Sequence, residues 1–166
     1  MHPVALSDAD LLRHCDVHHT RRSGPGGQRR NKVETAVVLT HRATGIRADA
    51  SERRSQAANK KAALFRLRLR LALHVRSPIA LGDSPSELWR SRCVGGEIAI
   101  NPGHADFPPL LAEVLDQLEP ARANVKAVAE HLKCTSSQLV RFIKLESRAF
   151  RWLNELRASH GLGPLK

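Results

Sequence analysis

The sequence feature that most constrains the fold is the run Gly-Pro-Gly-Gly at residues 24–27. Three glycines and a proline in succession cannot continue a helix or a strand, so the chain must change direction there. Basic residues flank the run on both sides, at positions 21, 22, 29, 30 and 32. We therefore predict an exposed loop in a positive field, of the kind that carries function when a rigid scaffold holds it.

The chemistry available at this loop comes from Gly26, Gly27 and Gln28. The two glycines expose bare backbone, so a polyanion can approach their N–H groups closely. Gln28 carries a hydrogen-bond donor and an acceptor but does not titrate, which excludes it as a general base. It can orient a water molecule, and a backbone N–H beside it can stabilise an oxyanion. The loop is therefore suited to the electrostatic part of acyl-transfer chemistry.

The sequence on either side of the loop carries a resemblance. Ser-Gly-Pro-Gly-Gly-Gln at 23–28 is followed by Asn-Lys at 31–32, Thr-His-Arg-Ala-Thr-Gly-Ile at 40–46 and Glu-Arg-Arg-Ser-Gln-Ala-Ala-Asn-Lys at 52–60. Over roughly residues 14–75 the chain resembles the catalytic domain of class I peptide chain release factors. It departs from that family at 29–30, where Arg-Arg replaces the usual His-Val.

In that family the Gly-Gly-Gln loop enters the peptidyl-transferase centre and promotes hydrolysis of the ester joining the peptide to P-site tRNA. The resemblance implies that Gly26, Gly27 and Gln28 are catalytic, that water is the nucleophile, and that neither a metal nor a cofactor takes part. It also implies large-subunit rRNA and P-site peptidyl-tRNA as partners. Glycine-rich turns in basic proteins also reverse the chain or contact phosphates, so a non-catalytic ribosome- or RNA-binding factor is the alternative.

The net charge of +11 indicates an acidic polymer as partner, most commonly nucleic acid. Residues 1–82 hold 16 Lys and Arg against 6 Asp and Glu, a net charge of +10, whereas residues 83–166 hold 11 against 10. We predict rRNA backbone contacts from the loop and the helix that follows it, although a solvated helix face has the same pattern. The predicted contacts are Arg21, Arg22, Arg29, Arg30, Lys32, Arg53, Arg54, Lys60, Lys61, Arg66, Arg68 and Arg70.

Cysteine and histidine spacing gives no metal or disulfide signature. Cys15, Cys93 and Cys134 lie far apart, which predicts reduced, partly buried thiols. His18 and His19 are adjacent, so on a strand they point to opposite faces and make a poor chelate. We see no secretory signal, transit peptide or membrane-length apolar run, and therefore expect a cytoplasmic protein with no membrane partner.

Hydrophobic patterns predict the α+β class: a small domain with a short antiparallel sheet packed on a long helix, followed by a helical C-terminal region. Ser7 is expected to cap a short helix. Strands are predicted at residues 15–22, 36–40 and 46–50, the last two joined by a tight turn through Gly45.

The long helix is predicted from an N-cap at Ser51 to about Val75. Its apolar stripe against the sheet is predicted at Ala58, Ala62, Phe65, Leu69 and Ala72.

The back half is predicted to begin with a linker, because glycines and prolines break every periodicity there, with a short helix near Trp89. Further helices are predicted at residues 110–118, 125–132, 136–144 and 147–160. Ala129, Leu132, Leu139, Phe142 and Ile143 are placed to fill the angle of a helix-turn-helix or the core of a small helical bundle. The predicted domains are 1–77, 78–105 as linker, and 106–166.

Release factors have further domains that read stop codons, and we expect 166 residues to leave no room for them. The resemblance to truncated relatives therefore predicts a codon-independent peptidyl-tRNA hydrolase that acts on stalled ribosomes, with the C-terminal helices free to recruit a further partner. A DNA-binding regulator is a weaker alternative, because the positive charge lies mainly outside the helix-turn-helix-like segment.

Overall fold

The computed structural model describes residues 2–21, 35–78 and 84–166. They belong to two compact units, Met1–His74 and Val75–Lys166. The first unit combines a sheet with helices and the second is mainly helical, which confirms the predicted α+β class. Across the described part of the chain, no helix is both long and apolar enough to cross a membrane.

The first unit begins with a 3₁₀ turn at Pro3–Ala5 and the short helix α1 (Asp8–Arg13). Ser7 caps α1 as predicted, since its Oγ accepts a hydrogen bond from the Asp10 N–H at 3.1 Å. Three antiparallel strands follow in the order β1-β2-β3, at Cys15–Thr20, Ala36–His41 and Arg47–Ala50.

The strand register is continuous and fixes which residues meet at each end of the sheet. Thr20 pairs with Ala36, and Val37 pairs with Ala50. Gly45 lies in the turn between β2 and β3 at φ +68°, the left-handed conformation that the sequence predicted for it. The three predicted strands and their hairpin are thereby confirmed.

The long helix α2 (Gln56–His74) covers the sheet, but two details of its prediction are wrong. It begins at Gln56 rather than after Ser51, because residues 52–54 form a bend. The buried stripe also differs from the predicted one, of which only Ala72 is buried. Apolar residues occur on nearly every side of this helix, so their spacing alone does not select the buried face. The side chains buried against the sheet and the N-terminal segment are Asn59, Ala63, Leu64, Leu67, Arg68, Leu71, Ala72 and Leu73.

The second unit contains five helices and a two-stranded hairpin within the described residues. The helices are α3 (Glu87–Arg92), α4 (Phe107–Leu118), α5 (Val125–His131), α6 (Ser136–Lys144) and α7 (Ser147–Ser159). The strands β4 (Cys93–Val94) and β5 (Glu97–Ile98) lie between α3 and α4. The described part of the predicted linker, from residue 84 onward, is thus folded within this unit and does not form a plain connector.

Three aromatic residues pack together in the core of the second unit. Trp89 on α3 is 1% exposed, and its ring meets that of Phe142 edge-on at 5.7 Å. Phe107 lies 5.4 Å from the same Phe142 ring, so α3, α4 and α6 share one cluster. The five positions predicted to fill the space between α5 and α6 are all buried. That burial suits both a helix-turn-helix and a bundle.

Asp116 on α4 is a buried carboxylate in this unit. Its Oδ1 accepts the Ser77 N–H at 3.1 Å and lies 3.7 Å from Arg76 Nη1. Burial raises the pKa of Asp116 from 3.8 to about 6, and repulsion from Glu119 adds to this, while Ser77 and Arg76 act in the opposite direction.

We expect a pH-dependent stability that Asp116 explains. Because its pKa is higher folded than unfolded, the stabilisation is fully present below pH 3.8 and is lost as the pH rises through about 6. A rise of this size corresponds to about 3 kcal/mol. Urea unfolding followed by tryptophan fluorescence measures it, since Trp89 and Trp152 both lie in the second unit. The free energy of unfolding of wild type, relative to that of Asp116→Asn, should fall by about this amount between pH 3 and 7. If the two proteins instead show the same dependence of unfolding free energy on pH, Asp116 does not cause it.

Candidate functional site

The two ends of the glycine-rich segment meet at one end of the sheet, which we call the loop end. Since Thr20 and Ala36 are paired, residues 21–35 leave and re-enter the sheet there. Ala50 at the end of β3 lies beside Val37, so residues 51–54 leave the sheet at the same end. The register therefore brings Arg21, Thr35 and the 51–54 turn together, although they are distant in sequence.

Asn59 on the first turn of α2 connects these segments. It is 0% exposed, and its Nδ2 donates to the Thr35 carbonyl at 2.7 Å and to the Arg53 carbonyl at 2.9 Å. Its Oδ1 accepts the Arg53 N–H at 2.9 Å. One buried amide thus satisfies both backbone groups of Arg53 and the carbonyl of Thr35.

Glu52 and Arg66 hold the same turn from its exposed side. Arg66 donates to the Asp49 carbonyl at 2.7 Å and to Glu52 Oε1 at 2.5 Å, while Glu52 Oε2 accepts the Ser51 N–H at 3.0 Å. These hydrogen bonds, led by those from the backbone N–H groups of Glu52 and Ser51, lower the pKa of Glu52 to about 2. Glu52 is therefore ionised at neutral pH, and the 51–54 turn is bound on both sides.

The predicted RNA-contact residues fall into three groups. Arg22, Arg29, Arg30 and Lys32 lie outside the described residues, as do the predicted catalytic residues Gly26, Gly27 and Gln28. Exposed side chains are found at Arg21, Arg53, Arg54, Lys60, Lys61, Arg66 and Arg70. The third group is Arg68 alone, which is buried.

The exposed cations are not equally close to the loop end. Arg21, Arg53 and Arg54 lie there, and Lys60 and Lys61 follow Asn59 directly. Arg70 donates to the carbonyl of Arg47, at the opposite end of β3. At 1.5 Å per helical residue, the backbone of Arg70 lies about 15 Å further along α2 than that of Lys60. The structure thus concentrates part of the predicted set around the loop end and extends the rest along the helix.

Arg68 corrects the prediction of an RNA contact at that position. Its side chain is 10% exposed and points to the N-terminal segment of the same unit. The guanidinium donates to the carbonyl of Val4, to that of Leu6 at 2.7 Å and to Asp8 Oδ1 at 2.8 Å. Three of its hydrogen bonds are therefore made within the protein and little of the side chain reaches the surface, which gives Arg68 a structural role.

The described residues contain no group of three His, Cys, Asp or Glu side chains that could hold a metal ion. The three cysteines are free thiols, as predicted. Burial raises the pKa of each, to about 11 for Cys134, so none has the lowered thiol pKa of a cysteine nucleophile.

Comparison with known proteins points to the same part of the chain. A family model described as the RF-1 domain matches residues 11–80. We refer to the matched residues 11–80 as the RF-1 domain. The match includes β1, β2, β3 and α2, and it spans the glycine-rich segment between β1 and β2.

Part of the chain is also similar to curated peptide chain release factors. Peptide chain release factor PrfB1, chloroplastic, of Arabidopsis thaliana is 54% identical over 68 residues, which are 41% of this chain and 14% of the relative. Peptide chain release factor 1 of Acidiphilium cryptum is 44% identical over 79 residues, 48% of this chain and 21% of the relative. For peptide chain release factor 1 of Kocuria rhizophila the identity is 44% over 91 residues, 55% of this chain and 24% of the relative. The chain thus spans less than a quarter of these curated relatives.

Asn59 is the residue of the RF-1 domain whose role sequence reasoning missed. It was noted only as part of the resemblance at residues 52–60. A signal was available, because Asn59, Ala63, Leu67 and Leu71 follow one another at spacings of four. A short amide on an apolar helix face, where asparagine has a poor propensity, indicates a buried hydrogen bond to a neighbouring backbone.

Proposed function

We propose that this chain hydrolyses the ester of peptidyl-tRNA on the ribosome, and that stalled ribosomes are its substrate. The observation that carries the proposal is the RF-1 domain match over residues 11–80, together with Gly-Gly-Gln at 26–28 between the paired strands β1 and β2. The rescue role follows from the resemblance to truncated release-factor relatives. It is consistent with the mainly helical residues 84–166, which lie outside the RF-1 match.

In the proposed reaction, water attacks the ester carbonyl in the peptidyl-transferase centre. The backbone N–H of Gln28 stabilises the oxyanion of the tetrahedral intermediate, and its side-chain amide orients the water. Gly26 and Gly27 allow the backbone to take the required conformation. The ribosome supplies the remaining groups, so the protein contributes positioning and electrostatics rather than an acid–base pair.

The exposed cations of the RF-1 domain would bind rRNA phosphates. Arg21, Arg53 and Arg54 lie at the loop end, and Lys60 and Lys61 begin the exposed row along α2. Contacts of this kind fix the position of a protein on RNA without reading its sequence. They also make the affinity fall steeply as the salt concentration rises.

The experiment that tests the proposal is release of labelled peptide from ribosomes stalled on an mRNA without a stop codon. Gln28→Ala should lower the single-turnover rate about 10²-fold, because the water is no longer oriented by a side-chain amide. Binding, measured by pelleting with ribosomes, should persist. Gln138→Ala is a matched control: it is the same chemical change on α6, outside the RF-1 match, where only the backbone N–H of Gln138 bonds Thr135.

The outcomes separate the hydrolase from the non-catalytic binding factor. Equal release by wild type and Gln28→Ala would exclude a catalytic role for Gln28. Tight, salt-sensitive binding without release by either protein would support the binding factor instead. A preference for ribosomes with a stop codon in the A site would contradict the rescue role while leaving the hydrolase intact.

A further inference from the structure

We propose that Asn59 is a positioning residue of the RF-1 domain, which acts by fixing the backbone of Thr35 and Arg53 at the loop end. The kinetic consequence of this inference rests on the proposed hydrolase function, whereas its structural part stands on the described residues alone.

The side chain of Asn59 connects the backbones of Thr35 and Arg53, which no strand pairing joins. Thr35 precedes β2, and Arg53 follows β3, so both lie beyond the last paired residues, Ala36 and Ala50. The side chain of Asn59 is buried and makes three hydrogen bonds of 2.7–2.9 Å to these two backbones. A 180° flip of the amide would break all three bonds, because both carbonyls need the NH₂ group as their donor.

The hydrogen bonds of Asn59 lie next to the segment that carries Gln28 in the sequence. Thr35 immediately follows the segment that carries Gln28, so its carbonyl marks where that segment re-enters the sheet. Arg53 and Arg54 are exposed cations on the turn that Asn59 holds from inside and Arg66 with Glu52 holds from outside. Asn59 thus sets the distance between the base of the reactive segment and two proposed phosphate contacts.

Asn59→Asp is the informative variant. Aspartate has the same shape and can still accept the Arg53 N–H, but it cannot donate to the two carbonyls and places a negative charge against them. Arg53 and Arg54 keep their charges, so the number of proposed phosphate contacts, and with it the salt slope of ribosome binding, should change little. Ala63→Gly is the matched control. Ala63 lies one turn further along the same buried face, and this change loosens α2 without touching residue 35 or 53.

The first measurement is amide hydrogen exchange of the full chain. In Asn59→Asp, exchange at residues 35–38 and 51–56 should rise about tenfold more than at residues 63–74, while Ala63→Gly should show no such localisation. An equal rise across the domain, or no rise at 35–38 and 51–56, would overturn the proposal. Loss of folding in both Asn59→Asp and Asn59→Ala would show a general structural role and would overturn it as well.

The second measurement is the concentration dependence of peptide release. Asn59→Asp should lower the maximal rate about tenfold or more and change the half-saturating concentration less than about threefold, since binding persists while the reactive segment is misplaced. Localised exchange with an unchanged maximal rate would overturn the positioning role. A wild-type protein that releases no peptide would instead contradict the proposed function. The exchange measurement alone would then decide whether Asn59 fixes the loop end.

Discussion

Replacing Trp89 by alanine is expected to lower the free energy of unfolding of the second unit by about 3–5 kcal/mol. Trp89 is fully enclosed, and its Nε1 donates to the Leu132 carbonyl at 2.8 Å, joining α3 to the end of α5. The substitution removes the ring packed on Phe142 and leaves that carbonyl without its partner in a dry core. Urea unfolding followed by the fluorescence of Trp152 measures the change.

Trp152→Ala is the natural comparison, because Trp152 is only half-buried and its ring lies 4.8 Å from the Arg76 guanidinium. We expect a loss of about 1–2 kcal/mol there, read from far-UV circular dichroism and Trp89 fluorescence. A loss below about 1 kcal/mol for Trp89→Ala would show that α3 is peripheral, and would support the prediction that residues 78–105 are a linker.

Replacing Arg68 by alanine is expected to destabilise the first unit by about 2–4 kcal/mol. The variant loses the hydrogen bonds to the Val4 and Leu6 carbonyls, which hold the N-terminal 3₁₀ turn against α2. The ion pair with Asp8 contributes less, since the Asp8 carboxylate is 72% exposed. Thermal unfolding by circular dichroism measures this loss.

Lys61→Ala provides the contrast for Arg68, because Lys61 is exposed on the same helix. The Lys61→Ala variant should keep nearly the same melting temperature but bind ribosomes more weakly. The slope of log affinity against log salt concentration should become shallower by about the amount expected for one phosphate contact. Arg68→Ala should show the reverse: a lower melting temperature, and an unchanged salt slope where the protein is folded. An unchanged melting temperature with a reduced slope would return Arg68 to the RNA-contact set.

Three arginines of α2 show how little the charge pattern of a sequence says about which side chains are exposed. Arg66, Arg68 and Arg70 follow one another at spacings of two, and the sequence gives no reason to treat them differently. Their environments differ because of partners elsewhere in the chain, at Glu52, Val4 and Arg47 respectively. An arginine can lie on a buried face when carbonyls and a carboxylate satisfy it, and no local pattern reports that.

Local signals were enough where the structure depends on neighbours in sequence. The Ser7 cap, the left-handed Gly45 and the strands on either side of it follow from one to five residues each. The face of α2 was wrong because the sheet, and not the helix, selects among several apolar faces. The buried Trp89 and the β4–β5 hairpin were missed because glycines at 95–96 suggest a connector when their contacts are not known.

The contacts of Arg68 show that the folded first unit begins before the RF-1 match does. The RF-1 match begins at residue 11, yet an arginine inside it takes its partners from Val4, Leu6 and Asp8. A fragment trimmed to the matched residues would lose these hydrogen bonds and uncover the part of α2 on which the N-terminal 3₁₀ turn packs. Excision, domain grafting or fusion of this module should therefore keep residues 2–10, even though they lie outside the RF-1 match.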